Sequence, residues 1–493
     1  MISYGCKFVG DYVMFVGRTE ALNRLGGLWQ KSTPSLVTVR GRRRIGKSTL
    51  VAEFARRTAD HFISIDGQAP GEGVNNKLQL QSFMEQLAVQ TVAPDVGVKN
   101  WLQAFSMLSS SLPKEGRVVV LLDEISWMGG YDKSFAGTLK IVWDKMLKKR
   151  DNLVLVLCGS VSSWIADNIL HGTGFVGRDS LDLVVNELPL AVCKAFWGAA
   201  AERTSTSEML DVLSVTGGVP KYLEEINPSL SSNENIRQLC FTREGMLFRD
   251  FNQIFNQIFG KKAVARKSLL HAIAYGSKSA AEIAEVLGSE RNGHLVDYLT
   301  ELELAGFVSK DSGMNPCTGQ PGRVVRYRLK DNYTRFYLHH VEPNAKEIEA
   351  GLFKYDSLAA LKGWEAVKGL QFENLVVSNF RSLLPVLGID GASLLSAAPY
   401  RRAREGASRG VQVDLLLQTK TTAYVVEMKR RESIGAEIAA EICDKAKAVG
   451  FRSDTSVRTV LVYDGALAPS VRTEHMLDFV IPADRLFDDF AGH

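Results

Sequence analysis

Long apolar runs are missing from this chain of 493 residues, and the longest, such as Val118 to Leu122 and Leu153 to Leu157, fall far short of the roughly 20 residues that span a bilayer. The N-terminus also lacks a basic stretch followed by an apolar signal region, so the expectation is a soluble cytoplasmic protein with no membrane partner. Close cysteine pairs are absent. The six cysteines (Cys6, Cys158, Cys193, Cys240, Cys317 and Cys443) are scattered, without the spacing of zinc sites or disulfide-stapled domains, which fits a reducing cytosol. An excess of one charge is lacking too: the formal net charge is +4, too weak over this length to indicate a partner, so any case for nucleic acid rests on local clusters. No repeat period or low-complexity tract interrupts the chain, and its 45% hydrophobic and 23% charged residues exclude wholesale disorder.

The length exceeds what one hydrophobic core usually organises, so several domains are expected. Changes in hydrophobic pattern divide the chain at 1–185, 186–262, 263–341 and 342–493. The first block alternates buried-strand runs (Ser35 to Arg40, Phe62 to Asp66, Val118 to Leu122, Leu153 to Cys158) with helical stretches, the pattern of an α/β domain with a parallel sheet. In the second, apolar residues recur at helical spacing around Gly217-Gly218 and Pro220, which suits a small helical lid. The third runs through three helical segments into two strand-like runs, the shape of a winged helix-turn-helix, with Ser279 capping a helix over Ala280 to Leu287 and a second helix over Arg291 to Ala305. Phe307 to Lys310 and Arg323 to Leu329 would form the wing. A helical linker over Pro343 to Lys362 then leads to a separate α/β domain.

Chemistry is concentrated first at Gly41-Arg42-Arg43-Arg44-Ile45-Gly46-Lys47-Ser48, which fits G-x-x-x-x-G-K-[ST] between a strand and the helix expected over Ser48 to Arg57. Glycines there let main-chain N–H groups close around phosphates, and the helix N-terminus adds positive potential. Lys47 would reach the β- and γ-phosphates of ATP, Ser48 would ligate Mg2+, and Thr49 would support the loop. Downstream, the strand Val118 to Leu122 ends in Asp123-Glu124, placing Asp123 to hold the magnesium and Glu124 to orient or deprotonate the attacking water. The next strand ends in Cys158-Gly159-Ser160, so Ser160 lies beside the expected γ-phosphate. Arg178 is the candidate arginine finger, supplied by the lid or by a neighbouring copy of the chain in a homo-oligomer; an ordinary solvated arginine is the alternative.

Taken together with Phe15-Val16-Gly17-Arg18-Thr19-Glu20, Leu122-Asp123-Glu124-Ile125-Ser126-Trp127 and Thr216-Gly217-Gly218-Val219-Pro220, these motifs resemble the archaeal-type ATPase family of the AAA+/STAND group over roughly the first half of the chain. The resemblance implies a P-loop ATPase, with Val16, Gly17 and Arg18 helping to hold adenine.

A second constellation lies near the C-terminus. Val411 to Leu417 and Ala423 to Lys429 read as a β-hairpin; with its turn centred between Lys420 and Thr421, Asp414 faces Glu427 and Lys429 follows two residues on along the same face. Paired carboxylates destabilise a sheet unless compensated, and a second Mg2+ or Mn2+ is the simplest compensation. This arrangement resembles the PD-(D/E)XK nuclease superfamily, whose fold is that of restriction endonucleases. The resemblance implies Asp414 and Glu427 as metal ligands, Lys429 as the catalytic lysine and Glu373 as the upstream helical acid, although Val413 replaces the proline of the motif. Arg401, Arg402, Arg404 and Arg409 either track a phosphate backbone or form a solvated loop. Arg291, Lys310, Arg323, Arg326 and Arg328 either contact DNA or belong to a module that only packs or dimerises. The expected function is an ATP-driven switch on nucleic acid, with a signalling or scaffold ATPase that has lost cleavage as the alternative.

Overall fold

The computed structural model describes residues 7–9, 12–94, 96–160, 162–170, 172, 175, 177–288, 293–322, 324–403, 410–473 and 476–488. Arg291, Arg323, Arg404 and Arg409 lie outside the described residues. The chain forms two compact units: Met1–Glu187 with Ile254–Gly260 and Leu304–Gly306, and Leu188–Gln253 with Lys261–Glu303 and Phe307–His493.

In the first unit, β1 (Ser35–Arg40), β2 (His61–Asp66), β3 (Val118–Asp123), β4 (Leu153–Gly159) and β5 (Leu181–Val184) make a parallel sheet in the order β2-β3-β4-β1-β5. Both alternating sets of side chains on β3 and β4 are buried, as expected of a sheet covered on two faces. On one face Phe83 of α2 (Asn76–Gln90), Trp101 and Phe105 of α3 (Trp101–Ser111) and Phe135 of α4 (Phe135–Lys145) meet one another edge to face and share one buried cluster with Val118, Val120 and Leu155. The strand β5 is a feature that the hydrophobic pattern did not reveal. It has four residues and only one of them is buried, so it carries little of the apolar run that marks the other strands.

The second unit contains α5 (Thr206–Thr216), then α6 (Ala263–Ile273), α7 (Ala280–Val286) and α8 (Gly293–Leu304), followed by an antiparallel pair, β6 (Val308–Asp311) and β7 (Arg326–Leu329). Ser279 caps α7 as expected, and Glu282 returns a bond to the Ser279 N–H in a full capping box. The helical linker expected over Pro343 to Lys362 is shorter in the structure. Its α-helix ends at Glu349, and Gly351, with φ +70°, takes a left-handed conformation after which Leu352 N–H turns back to the Glu347 carbonyl at 2.8 Å.

Next come α9 (Asn332–Phe336) and α10 (Trp364–Ser378), then β8 (Ser396–Arg402), β9 (Val411–Gln418), β10 (Thr422–Ile434), α11 (Glu437–Val449), β11 (Ser456–Leu467) and β12 (Phe479–Pro482). The five strands form one sheet in chain order, antiparallel from β8 to β10 and parallel from β10 to β12, with α11 as the crossover between parallel neighbours. A buried polar network knits α5, α9 and α10 together. Arg335 Nη1 donates to Gln371 Oε1 at 2.7 Å, and Gln371 Nε2 donates to the carbonyls of Ser214 and Asn332, both at 2.8 Å. Buried amides of this kind hold one packing arrangement because any alternative leaves them without partners. No described helix is long and apolar enough to cross a membrane.

Candidate functional site

The phosphate-binding loop connects the end of β1 to α1 (Lys47–Thr58), which begins one residue earlier than the sequence pattern suggests. Gly41 has φ +146°, and a Cβ there would stand 2.4 Å from the Val185 carbonyl oxygen, so only glycine lets β1 turn out of the sheet at this point. Gly46 is left-handed at φ +84° and leads into α1. Arg42, Ile45 and Lys47 are buried, Arg43, Arg44, Ser48 and Thr49 are partly buried, and the Arg43 guanidinium lies over the Trp127 ring at 5.4 Å.

Topology brings three distant residues into line here. Because β4 lies between β1 and β3, the residue that follows β4 falls between the loop lysine and the acids that follow β3. Lys47 Nζ donates to Ser160 Oγ at 3.0 Å, and Ser160 Oγ donates to Glu124 Oε1 at 2.7 Å. The Ser160 N–H adds a bond to Glu124 Oε2 at 3.1 Å. Lys47 also donates to the carbonyls of Gly41 and Arg42, each at 3.1 Å. The Ser48 hydroxyl donates directly to Asp123 Oδ2. These two oxygens, one hydroxyl and one carboxylate, form the donor set that suits a hard cation such as Mg2+.

Among the described residues, three that are not glycine have positive φ: Arg18 at 64°, Arg44 at 71° and Glu124 at 47°. Each such residue costs about 1–3 kcal/mol and persists only where its surroundings enforce it, and such residues cluster at working sites. All three lie in the segments singled out for nucleotide. Arg18 follows the left-handed Gly17 and donates from Nη2 to the Ile45 carbonyl at 3.1 Å, so Val16, Gly17 and Arg18 are joined to the loop.

Two features differ from simple expectation. Arg178 is clamped to Asp144 of α4, with Nε to Oδ1 at 2.9 Å and Nη2 to Oδ2 at 3.1 Å. The hydrogen bonds to Arg178 hold the Asp144 carboxyl below its usual range. An acid that the sequence reading passed over, Asp66 at the end of β2, pairs in register with Asp123. Burial, reinforced by the charges of Asp123 and Glu124, raises its pKa. Its signal in the sequence was only its place at a strand end, which many surface acids share.

In the second unit the hairpin has the expected register. Leu415 pairs with Val426 and Leu417 with Tyr424, the alignment expected, and the ladder ends at Leu415 with Asp414 still close enough for its charge to act on Glu427. Asp414 leaves the ladder, and its Oδ2 accepts the Met428 N–H at 2.9 Å. Glu373 on α10 feels the charges of Asp414 and Glu427, so the three acids and Lys429 do come together. Burial first, then the neighbouring carboxylates, pushes Glu373 up to about 8 and Glu427 up to about 7, and burial also raises Asp414. Even so, no group of three or more His, Cys, Asp or Glu side chains among the described residues is spaced to hold a metal ion. Instead, Lys445 of α11, which the sequence reading did not single out, places Nζ 2.5 Å from Glu427 Oε2.

These raised values give stability a direction with pH. The folded protein keeps protons on Glu373 and Glu427 that the unfolded chain releases above the ordinary value of 4.5, so this contribution is complete below 4.5 and is lost as pH rises through the folded values. The melting temperature is therefore expected to fall between about pH 4.5 and 8, and to fall less steeply in Glu373→Gln. A Glu373→Gln melting profile that parallels the wild type across that range would show that Glu373 is not the group responsible.

Several expected nucleic-acid contacts have partners inside the chain. Arg402 donates to the carbonyls of Ala448 and Val449 at 2.6 and 3.0 Å, closing the C-terminus of α11. Arg326 pairs with Glu282 at 3.0 Å, and Arg328 with Asp311 at 2.9 Å and with Asn374. Lys310 on β6 is exposed, as is Arg401 on β8.

Comparison with known proteins bears on the first of these sites. A family model described as an ATPase domain predominantly from Archaea matches residues 15–226. An uncharacterized protein of Methanocaldococcus jannaschii is 21% identical over 448 residues, covering 89% of this chain and 93% of its own length. Among solved structures, a Walker-type ATPase of Pyrococcus abyssi is 15% identical and covers 66% of this chain and 96% of its own, with a TM-score of 0.44. The ORC2 protein of Aeropyrum pernix, in ADPNP and ADP complexes, is 15% identical and covers 69% of this chain and 97% of its own, with a TM-score of 0.41. The family match spans the phosphate-binding loop, Asp123, Glu124 and Ser160, so residues 15–226 of this chain are similar to an ATPase domain found predominantly in Archaea.

Proposed function

We propose that this chain hydrolyses the β-γ phosphoanhydride of ATP and uses the nucleotide state as a switch acting on nucleic acid. The observation that carries the reading is the line from buried Lys47 through buried Ser160 to partly buried Glu124, beside the Ser48–Asp123 pair. Lys47 exchanges its bonds to Gly41 and Arg42 carbonyls for phosphate oxygens, while the loop N–H groups and the start of α1 hold the rest of the triphosphate. Ser48 and Asp123 would hold Mg2+, which neutralises phosphate charge when bound. Glu124 orients the water and accepts its proton; Ser160, bonded to both Lys47 and Glu124, reports phosphate occupancy to the base. Val16, Gly17 and Arg18 line the adenine end, and Thr49 steadies the loop. Arg178 becomes a finger on release from Asp144, in cis or from a second copy of the chain.

The blocks 186–262, 263–341 and 342–493 are read as lid, winged helix and restriction-endonuclease-like domain. Three helices followed by the β6–β7 pair support the winged helix, and the hairpin register with the βαβ crossover supports the last. DNA is the proposed partner, with exposed Lys310 and Arg401 as the contacts available. The thiols of Cys158, Cys240, Cys317 and Cys443 fit a reducing cytoplasm. A second reading, a signalling or scaffold ATPase whose last domain binds a partner without cutting, is favoured by the Lys445–Glu427 pair.

ATPase rates measured with and without DNA and RNA, beside a cleavage assay containing Mg2+ or Mn2+, test both readings together. Stimulation by DNA or RNA supports the switch on nucleic acid. Turnover indifferent to either, with no cleavage, favours the scaffold, and absence of turnover under every condition removes the hydrolase.

A further inference from the structure

The acids on β9, β10 and α10 match a metal-binding pattern by residue type, yet a counter-charge reaches them from within the chain. Lys445 Nζ stands 2.5 Å from Glu427 Oε2 and 3.1 Å from Glu441 Oε1. Lys429 Nζ stands 3.7 Å from that Glu427 oxygen and 3.5 Å from that Glu441 oxygen. Charges therefore alternate around a closed ring of Glu427, Lys445, Glu441 and Lys429. The ring is anchored inside the fold: the Glu427 side chain is 0% exposed, and those of Lys429 and Lys445 are 16% and 24% exposed.

A divalent ion needs several oxygens within its first shell at once. Here one oxygen of Glu427 is held by an ammonium, and one oxygen of Asp414 is held by the Met428 N–H. The remaining Glu427 oxygen, Oε1, is buried and has no hydrogen-bond donor. The carboxylate is thus half compensated by a tethered cation, and a free ion would have to displace that cation from a buried pair. Lys429, the lysine expected to act on substrate, is engaged by Glu427 and Glu441 in the same ring.

We infer that Lys445 is a built-in counter-ion that takes a metal's place at Glu427, closing the C-terminal acids to divalent ions and making this domain a module that binds without cutting. The inference rests on reading residues 342–493 as nuclease-like. It follows that removing the ammonium should open a metal site where the intact chain has none, because both oxygens of Glu427 would then lack a hydrogen-bond donor, with Lys429 no nearer than 3.7 Å.

The test is Mn2+ binding followed by electron paramagnetic resonance on the full nucleotide-free chain. The wild type is expected to hold no Mn2+ ion that Glu427→Gln removes. Lys445→Met is expected to gain one, at least about tenfold tighter than any such binding in the wild type, and to lose it again in Lys445→Met/Glu427→Gln. Lys445→Arg, which keeps the charge, is expected to stay closed. A Mn2+ ion in the wild type that Glu427→Gln removes overturns the inference, as does a folded Lys445→Met protein without a new site. Should Lys445→Met refold only when Mn2+ is supplied, that rescue supports the inference, and the comparison of wild type with Glu427→Gln decides by itself if the variant never folds. A new site in Lys445→Met that Asp414→Asn leaves untouched would remove the nuclease-like arrangement while leaving the role of Lys445 standing.

Discussion

Glu124→Gln is expected to bind ATP as tightly as the wild type while its turnover falls about 10²- to 10⁴-fold, the contribution of a positioned general base. That range corresponds to about 2.7–5.5 kcal/mol of barrier. The amide is nearly isosteric with the carboxylate, and both contacts to Ser160 have counterparts: its oxygen accepts the Ser160 N–H, and its NH2 donates to Ser160 Oγ. The left-handed backbone at residue 124 asks no more of glutamine than of glutamate. What disappears is the proton acceptor, together with one negative charge near the phosphates. Binding by fluorescent ATP titration and single-turnover hydrolysis separate the two effects, and equal hydrolysis by variant and wild type would refute the role given to Glu124.

Lys47→Ala acts at the other end of the same line. The ammonium makes three bonds, to the Gly41 and Arg42 carbonyls and to Ser160, and it is the group proposed above to exchange two of them for the β- and γ-phosphates. Hydrogen bonds to a charged group contribute about 1.5–3 kcal/mol each, so losing two phosphate contacts should weaken ATP binding about 10²- to 10⁴-fold. The variant also leaves two loop carbonyls without their donor, so a modest fall in melting temperature is expected with it. Calorimetric titration of ATP into a variant shown to be folded by circular dichroism checks this, and wild-type affinity would mean that the loop does not grip a triphosphate.

Local order was the part most readable in advance. The phosphate-binding loop was visible because its requirements are short-range: glycine where a Cβ would strike the Val185 carbonyl, and lysine opening a helix. The register of β9 with β10 was readable for a similar reason, since a short turn between strands of period two leaves one alignment that buries the apolar face. Partners far apart in the chain were not readable. Arg402 looked like a phosphate contact until α11 was seen to end against it, 46 and 47 residues away. Arg326 and Arg328 looked like wing cations until their neighbours supplied Glu282 and Asp311. Nothing in the spacing of Glu441 and Lys445 set that pair apart from an ordinary helical ion pair.

The amino-acid sequence by itself determined the form of the loop between β1 and α1, the acids Asp123 and Glu124 at and just after the end of β3, and the alignment of the C-terminal hairpin, because each depends on backbone geometry within a few residues. Only the tertiary structure decided which cations remain available to a partner, that Ser160 connects Lys47 to Glu124, and that Lys445 answers the charge of Glu427. A side chain's charge is written in its identity, but its electrostatic role depends on which opposite charges the fold brings within a few ångströms and how much water it removes from between them.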